Sequence, residues 1–164
     1  MEFLEKDLEE IIFNADKKIL SEKGLRIKGK LFRQLKIGNY GIADLVGVEK
    51  EYLYTEDELN NSSVLNITVY KLKKDKIDSD TFLQALGYLK GIQSYIDKRK
   101  PNFYFEINYN IVLIGKSIAM HSEFLYLSDF LIDFLKNYIY SYHVDGIEFE
   151  QTGGYSLIDE GFKL

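Results

Sequence analysis

An α/β fold, with a central mixed sheet flanked by helices, is predicted by three observations. Helix-like and strand-like hydrophobic periods succeed one another along the chain. The strand-like runs carry β-branched and aromatic residues, and 46% apolar residues are enough to build a substantial core. The 164 residues fit one domain spanning 1–164, because the single proline, Pro101, and the lack of a Gly/Ser-rich run leave no linker between two halves.

Each element has its own signal. Leu4, Leu8, Ile11, Ile12, Ala15 and Ile19 recur at three- and four-residue steps and predict one amphipathic helix, ended by Gly24 as a C-terminal cap. "LRIKGKLFRQLKI" and "IADLVGV", joined by the turn "GNYG", predict a hairpin of residues 25–37 against 41–54. "TEDELNNSS" reads as a polar loop tip and "VLNITVYKLKK" as a third strand with a basic exit. Asp78 or Ser79 caps the next helix, whose buried stripe is Phe82, Ala85, Leu86, Leu89, Ile92 and Ile96, and Pro101 follows its end. "NFYFEINYNIVLIG" predicts a long strand. "EFLYLSDFLIDFLKNYIY" is apolar nearly all round and predicts a helix buried on more than one side. "SYHVDGIEFEQ" predicts a last strand, and the tail from Gly153 shows no clear pattern. The predicted order is α, three strands, α, strand, α, strand.

Composition narrows the chemistry. The chain has no cysteine, so disulfides, thiol catalysis and thiolate metal sites are excluded. His121 and His143 are too few for an all-histidine metal site, which leaves a hard cation held by oxygen ligands. A net charge of −5 argues against coating nucleic acid by bulk attraction, yet it is compatible with a carboxylate cluster. "MEFLEKDLEE" is too charged for a signal peptide, and no apolar run approaches the ~18–20 residues of a membrane span. A cytoplasmic protein away from the membrane is expected.

Strand alternation sends Lys71 and Lys73 to one face and Tyr70 and Leu72 to the other. Asp44, in "YGIADLVG", sits on the strand expected beside them. A carboxylate and lysines at a strand end can hold Mg²⁺ and orient a water on phosphate. A plain ion pair at a partly exposed strand end accounts for the same residues without any chemistry. Gln84 and Tyr88 stand at i and i+4 of the second helix and share one face, which solvent can equally occupy. Lys28, Lys30, Arg33 and Lys36 surround the first hairpin, either as a solvated face or as contacts to a phosphate backbone.

Across roughly residues 1–115, this order and these residues resemble the PD-(D/E)XK nuclease superfamily, with its restriction-endonuclease-like α-β-β-β-α-β core. Asp44 in "GIADLV" matches the family's second-strand aspartate, and Lys73 matches the lysine of its third-strand acidic-x-Lys motif. "FLEKDLEE" is similar to the first helix, where Glu9, and after it Glu5, is the candidate contributor to the site. "FRQLKIGNYGIADLVG" looks like the approach to the aspartate in prokaryotic and phage members. "FLQALGYLKGI" places Gln84 and Tyr88 in the Q-x-x-x-Y arrangement of the helicase–nuclease repair branch. The resemblance implies Mg²⁺ (or Mn²⁺) held by Asp44, Glu9 and the Leu72 carbonyl, with Lys73 activating water and Gln84 and Tyr88 positioning the site. It implies a nuclease acting on nucleic acid, with DNA the expected form.

One position departs from the pattern. The family has Glu or Asp where this chain has Lys71, and an ammonium offers donors only. At ~4 Å and an effective dielectric near 20, a like unit charge costs roughly 4 kcal/mol, and a divalent ion roughly twice that. Natural loss of activity, migration of a ligand to another element, or a Glu→Lys change each account for it. Two function classes follow: a metal-dependent nuclease, impaired or intact, and an inactive nuclease-like module that binds nucleic acid or a protein. An unrelated α/β scaffold is the third. Aromatics of residues 124–142 left over after packing would point to a homodimer.

Overall fold

The computed structural model describes residues 4–53, 62–99, 106–120 and 122–152. In chain order the helices are α1 (Glu5–Asn14), α2 (Lys17–Glu22), α3 (Ser79–Asp97) and α4 (Ser122–Phe130). The strands are β1 (Lys30–Lys36), β2 (Ile42–Leu53), β3 (Ser62–Leu72), β4 (Lys76–Ile77), β5 (Glu106–Gly115), β6 (Ser117–Ile118), β7 (Leu135–His143) and β8 (Gly146–Thr152). Six of them form a mixed sheet in the order β1-β2-β3-β5-β7-β8, while β4 and β6 pair separately. β1–β2, β2–β3 and β7–β8 are antiparallel, and β3–β5 and β5–β7 are parallel. The protein is therefore α/β, with a central mixed sheet flanked by helices. Parallel neighbours need a crossover, which α3 supplies between β3 and β5, and α4 between β5 and β7.

Strand alternation gives the sheet two buried faces. Ile67, Val69, Ile111 and Leu113 pack under Phe82, Ala85 and Leu89 of α3 and Phe124 of α4. Tyr70, Leu72, Val112 and Ile114 pack under Leu8 and Ile12 of α1 and Leu20 of α2. Leu113 and Ile114 are both fully buried, as the centre of a sheet covered on both sides requires.

Three sequence expectations are corrected. The first helix is two helices, because the Asp16 carboxylate accepts the Lys18 N–H at 2.8 Å and starts a new one. The break rotates the apolar face, burying Leu20 and leaving Ile19 half exposed. The first strand begins at Lys30, not Leu25, and its partner runs from Ile42 to Leu53. The third correction is the largest. Residues 123–140 are not one helix: α4 ends at Phe130 and β7 enters the sheet at Leu135. An all-round apolar run satisfies both periods, so it could not decide between them. The deciding signal was Asp145-Gly146, which closes the β7–β8 hairpin from His143 to Gly146.

Other expectations stand with small changes. Asp78 caps α3, accepting the Thr81 N–H at 3.0 Å, and within its apolar stripe Leu86 is partly exposed. Gly24 does end the α2 segment: its N–H reaches Ser21 O, and the Leu25 N–H reaches Leu20 O. Gly24 has φ +99°, and a Cβ there would lie 2.0 Å from the Phe149 carbonyl oxygen. Only glycine fits where α2 meets β8. Of the expected loop tip at residues 55–63, Ser62 and Ser63 instead open β3, and residues 55–61, Pro101, His121 and the tail from Gly153 lie outside the described residues. Among the described residues, no helix is long and apolar enough to cross a membrane.

Candidate functional site

The β2–β3 ladder runs down to Leu45↔Tyr70, and one step further Asp44 stands beside Lys71. The Asp44 carboxylate takes over from the backbone there. Its Oδ2 accepts the Lys71 ammonium at 3.0 Å and the Leu72 N–H at 3.1 Å. Lys71 is 8% exposed, so it is a cation kept from water by the sheet and neutralised by one carboxylate. Lys71 continues the Ile67–Val69 row, which faces α3, while Tyr70 and Leu72 fill the opposite core.

Glu9, on α1, engages β1 instead. Its side chain is nearly buried, and both oxygens are engaged: Arg33 Nε donates to Oε1 at 2.7 Å and Gln34 Nε2 to Oε2 at 2.8 Å. Gln34 has φ +51°, a left-handed conformation that costs a side chain about 1–2 kcal/mol. The β1–β2 register pairs Arg33 with Leu45 and Leu35 with Ala43, so Gln34 falls opposite Asp44 at the distorted step. Leu31 and Leu45 face the α1 side, whereas Leu35 and Ala43 face the α3 side. The hairpin thus turns over at Gln34 and Asp44. Two pairs result, Glu9 with Gln34 and Asp44 with Lys71, and the register sets Gln34 of β1 opposite Asp44 of β2.

Lys73 leaves the strand immediately after Leu72, with its N–H bonded to Ile114 O at 2.8 Å. The bonds Asp78 accepts from Thr81 hold its carboxyl below the ordinary range, with the Lys73 ammonium adding to the effect. The 73–75 connection is pinned on both sides. The Tyr140 hydroxyl donates to Lys74 O, and the N–H groups of Lys116 and Ser117 donate to Asp75 O. Burial raises the Tyr140 phenol, and the charges of Asp75 and Glu5 raise it further. Lys73 and Lys116 directly follow β3 and β5, and Lys76 opens β4, so all three belong to the segments that leave the carboxyl ends of the parallel strands, where open α/β sheets bind ligands.

Gln84 and Tyr88 lie on one side of α3, but they differ. Gln84 is exposed, and the Tyr88 ring packs over Gly41, 3.1 Å from where a Cβ would stand. Tyr88 therefore props the turn that leads into Asp44. The sequence reading missed Gln34 and the pairing role of Arg33. A glutamine at positive φ inside a strand has no sequence signature. His143 is exposed at the β7–β8 turn.

Among the described residues, no group of three or more histidine, aspartate or glutamate side chains is placed to share an ion. Asp44 and Glu9 each already face a cation of the chain itself, and Leu72 enters the row through its N–H. A Mg²⁺ ion here would have to displace Lys71 or share Asp44 with it. No family model, curated protein or solved structure matches the chain.

Proposed function

We propose that this chain is a nuclease-like module of the PD-(D/E)XK kind in which Lys71 takes the electrostatic place of the metal, so that it binds nucleic acid, DNA first, without metal-dependent cleavage. The observation that carries this reading is the Lys71–Asp44 contact at 3.0 Å. The ammonium sits where the resemblance calls for a metal-ligating carboxylate, and it neutralises the aspartate that a cation would otherwise neutralise. With α1 and α2 taken as one helical segment and the two-residue β4 set aside, the order from α1 to β5 is α-β-β-β-α-β, with β1–β2 and β2–β3 antiparallel and β3–β5 parallel, which supports the same reading. Lys71 is committed to the pair and buried. Phosphate contact falls instead to Lys73, Lys76 and Lys116 at the strand ends, acting as point charges.

A second reading keeps hydrolysis. Both described bonds to Asp44 fall on Oδ2. A Mg²⁺- or Mn²⁺-dependent deoxyribonuclease fits this site only if metal binding draws a further carboxylate toward Asp44, because no three described ones are placed to share an ion as they stand. One experiment separates the two: cleavage of plasmid and single-stranded DNA with Mg²⁺ or Mn²⁺, alongside binding of the same DNAs in chelator. The first reading expects binding in chelator and no metal-dependent cleavage. Cleavage that requires metal and is lost in Asp44→Asn would overturn it in favour of the second. No binding to any nucleic acid at low salt sinks both.

A further inference from the structure

On the α3 face, away from the Asp44–Lys71 pair, a groove of about 1100 Å³ runs from the 37–41 turn to the last turns of α3. Its floor is apolar, formed by β-sheet side chains such as Val46 and Ile67. Its walls carry three aromatic rings that remain substantially exposed: Phe32 at 37%, Tyr40 at 49% and Tyr95 at 57%. Three cations, Lys36, Lys98 and Arg99, complete the wall, and no aspartate or glutamate lies among its described lining residues. In a chain of net charge −5, an acid-free basic groove is a local reversal of sign. The Arg99 guanidinium lies 3.6 Å from the Tyr95 ring centroid, forming a flat, cationic platform.

We propose that this groove binds single-stranded nucleic acid, with unpaired bases stacking on Tyr95, Tyr40 and Phe32 while Lys36, Lys98 and Arg99 follow the phosphates. The proposal rests on the nucleic-acid reading above and specifies which form is bound. Aromatic faces favour a base only when it is unstacked from its own neighbours, which a duplex prevents. Cations at the rim of an apolar floor fit a ligand that is anionic along its backbone and flat and apolar at its bases.

The test uses the full chain in chelator. Fluorescence anisotropy would compare a short labelled oligothymidine strand with a mixed-sequence duplex, at low and at higher salt. Single-strand binding should exceed duplex binding, and Tyr95→Ala should weaken it by about tenfold or more. Tyr95 is largely exposed, so this variant should fold, and Tyr95→Phe should bind as the parent does. Lys98→Ala should lower the salt slope for the single strand by roughly 0.7, as loss of one phosphate contact requires. Duplex bound as tightly as single strand, or Tyr95→Ala without effect, overturns the groove but leaves the module's nucleic-acid binding standing. If neither form binds, the function proposed above has failed and the groove proposal with it. An acidic aromatic peptide that binds more tightly than the strand and displaces it assigns the groove to a protein partner. Dimerisation seen by light scattering and abolished in Tyr95→Ala assigns it to a second copy. Either of these last outcomes also overturns the proposal.

Discussion

Replacing Lys71 with methionine leaves an unbranched side chain one heavy atom shorter and removes the ammonium, with both its charge and its hydrogen bond to Asp44. Asp44 is then left with the Leu72 N–H as its described partner. At 3.0 Å and an effective dielectric near 20, the lost attraction is roughly 5.5 kcal/mol before solvation is counted. Desolvation opposes it. The side chains are 10% and 18% exposed, so the pair sits between an exposed bridge, worth about 0–1 kcal/mol, and a buried one, whose breakage costs about 3–5 kcal/mol. A net loss of about 2 kcal/mol is expected for Lys71→Met, a melting-temperature drop of about 4–8 °C for a chain of this size. Urea unfolding of Lys71→Met, Asp44→Asn and the double variant measures the coupling directly. The double variant should be more stable than the sum of the single losses implies, by about 1–2 kcal/mol. Strict additivity, with Lys71→Met as stable as the parent, would refute the view that Lys71 neutralises Asp44.

Three further outcomes follow from the fold. Gly24→Ala should cost about 3 kcal/mol or more in chemical denaturation, because φ +99° and the Phe149 carbonyl both exclude a Cβ; Gly38→Ala, in open space at φ +48°, should cost only about 1–2. Gln34→Gly should be nearly neutral in stability, since relief of the backbone at φ +51° offsets the lost bond to Glu9, whereas Gln34→Ala should lose about 1 kcal/mol. Burial pushes the Tyr70 phenol up to about 12, with bonds from the Lys28 backbone and Thr68 opposing the shift. Its proton is held in the folded state above the pH at which the unfolded chain releases it. The stability this confers is complete below pH ~10 and is lost as pH rises through ~12, by roughly 2–3 kcal/mol, a decline that Tyr70→Phe should remove from the stability–pH curve.

The legibility of the fold followed the clarity of each local signal. β3 was readable as a short run rich in β-branched residues bounded by polar segments, and α3 because its apolar stripe keeps a helical period and Asp78 supplies a clear cap. The α1–α2 break was hidden because Ala15 and Ile19 prolong the apolar spacing, while the opposing evidence is one aspartate side chain at Asp16. Residues 123–140 misled because burial on two sides removes the polar positions that reveal a period. At the site, strand parity and adjacency bring Asp44 and Lys71 together. The Glu9–Arg33–Gln34 cluster was only half visible, since it depends on a positive φ at Gln34 and on the angle at which α1 crosses the sheet. The groove beneath Tyr95 was not visible at all, because it is a gap between elements rather than a pattern within one.

The central claim is that Lys71 stands in for the metal, and titration calorimetry of Mg²⁺ and Mn²⁺ into the parent chain and into Lys71→Glu tests it most directly. Lys71→Glu sets a second carboxylate beside Asp44, so the metal-free variant should melt lower than the parent through repulsion. It should bind metal, and metal should raise its melting temperature, because an ion that binds the folded state stabilises it by mass action. The parent should show no specific heat with either ion and no metal-dependent shift in melting. Specific binding by the parent equal to that of Lys71→Glu would contradict the claim and place the metal on ligands that do not include position 71.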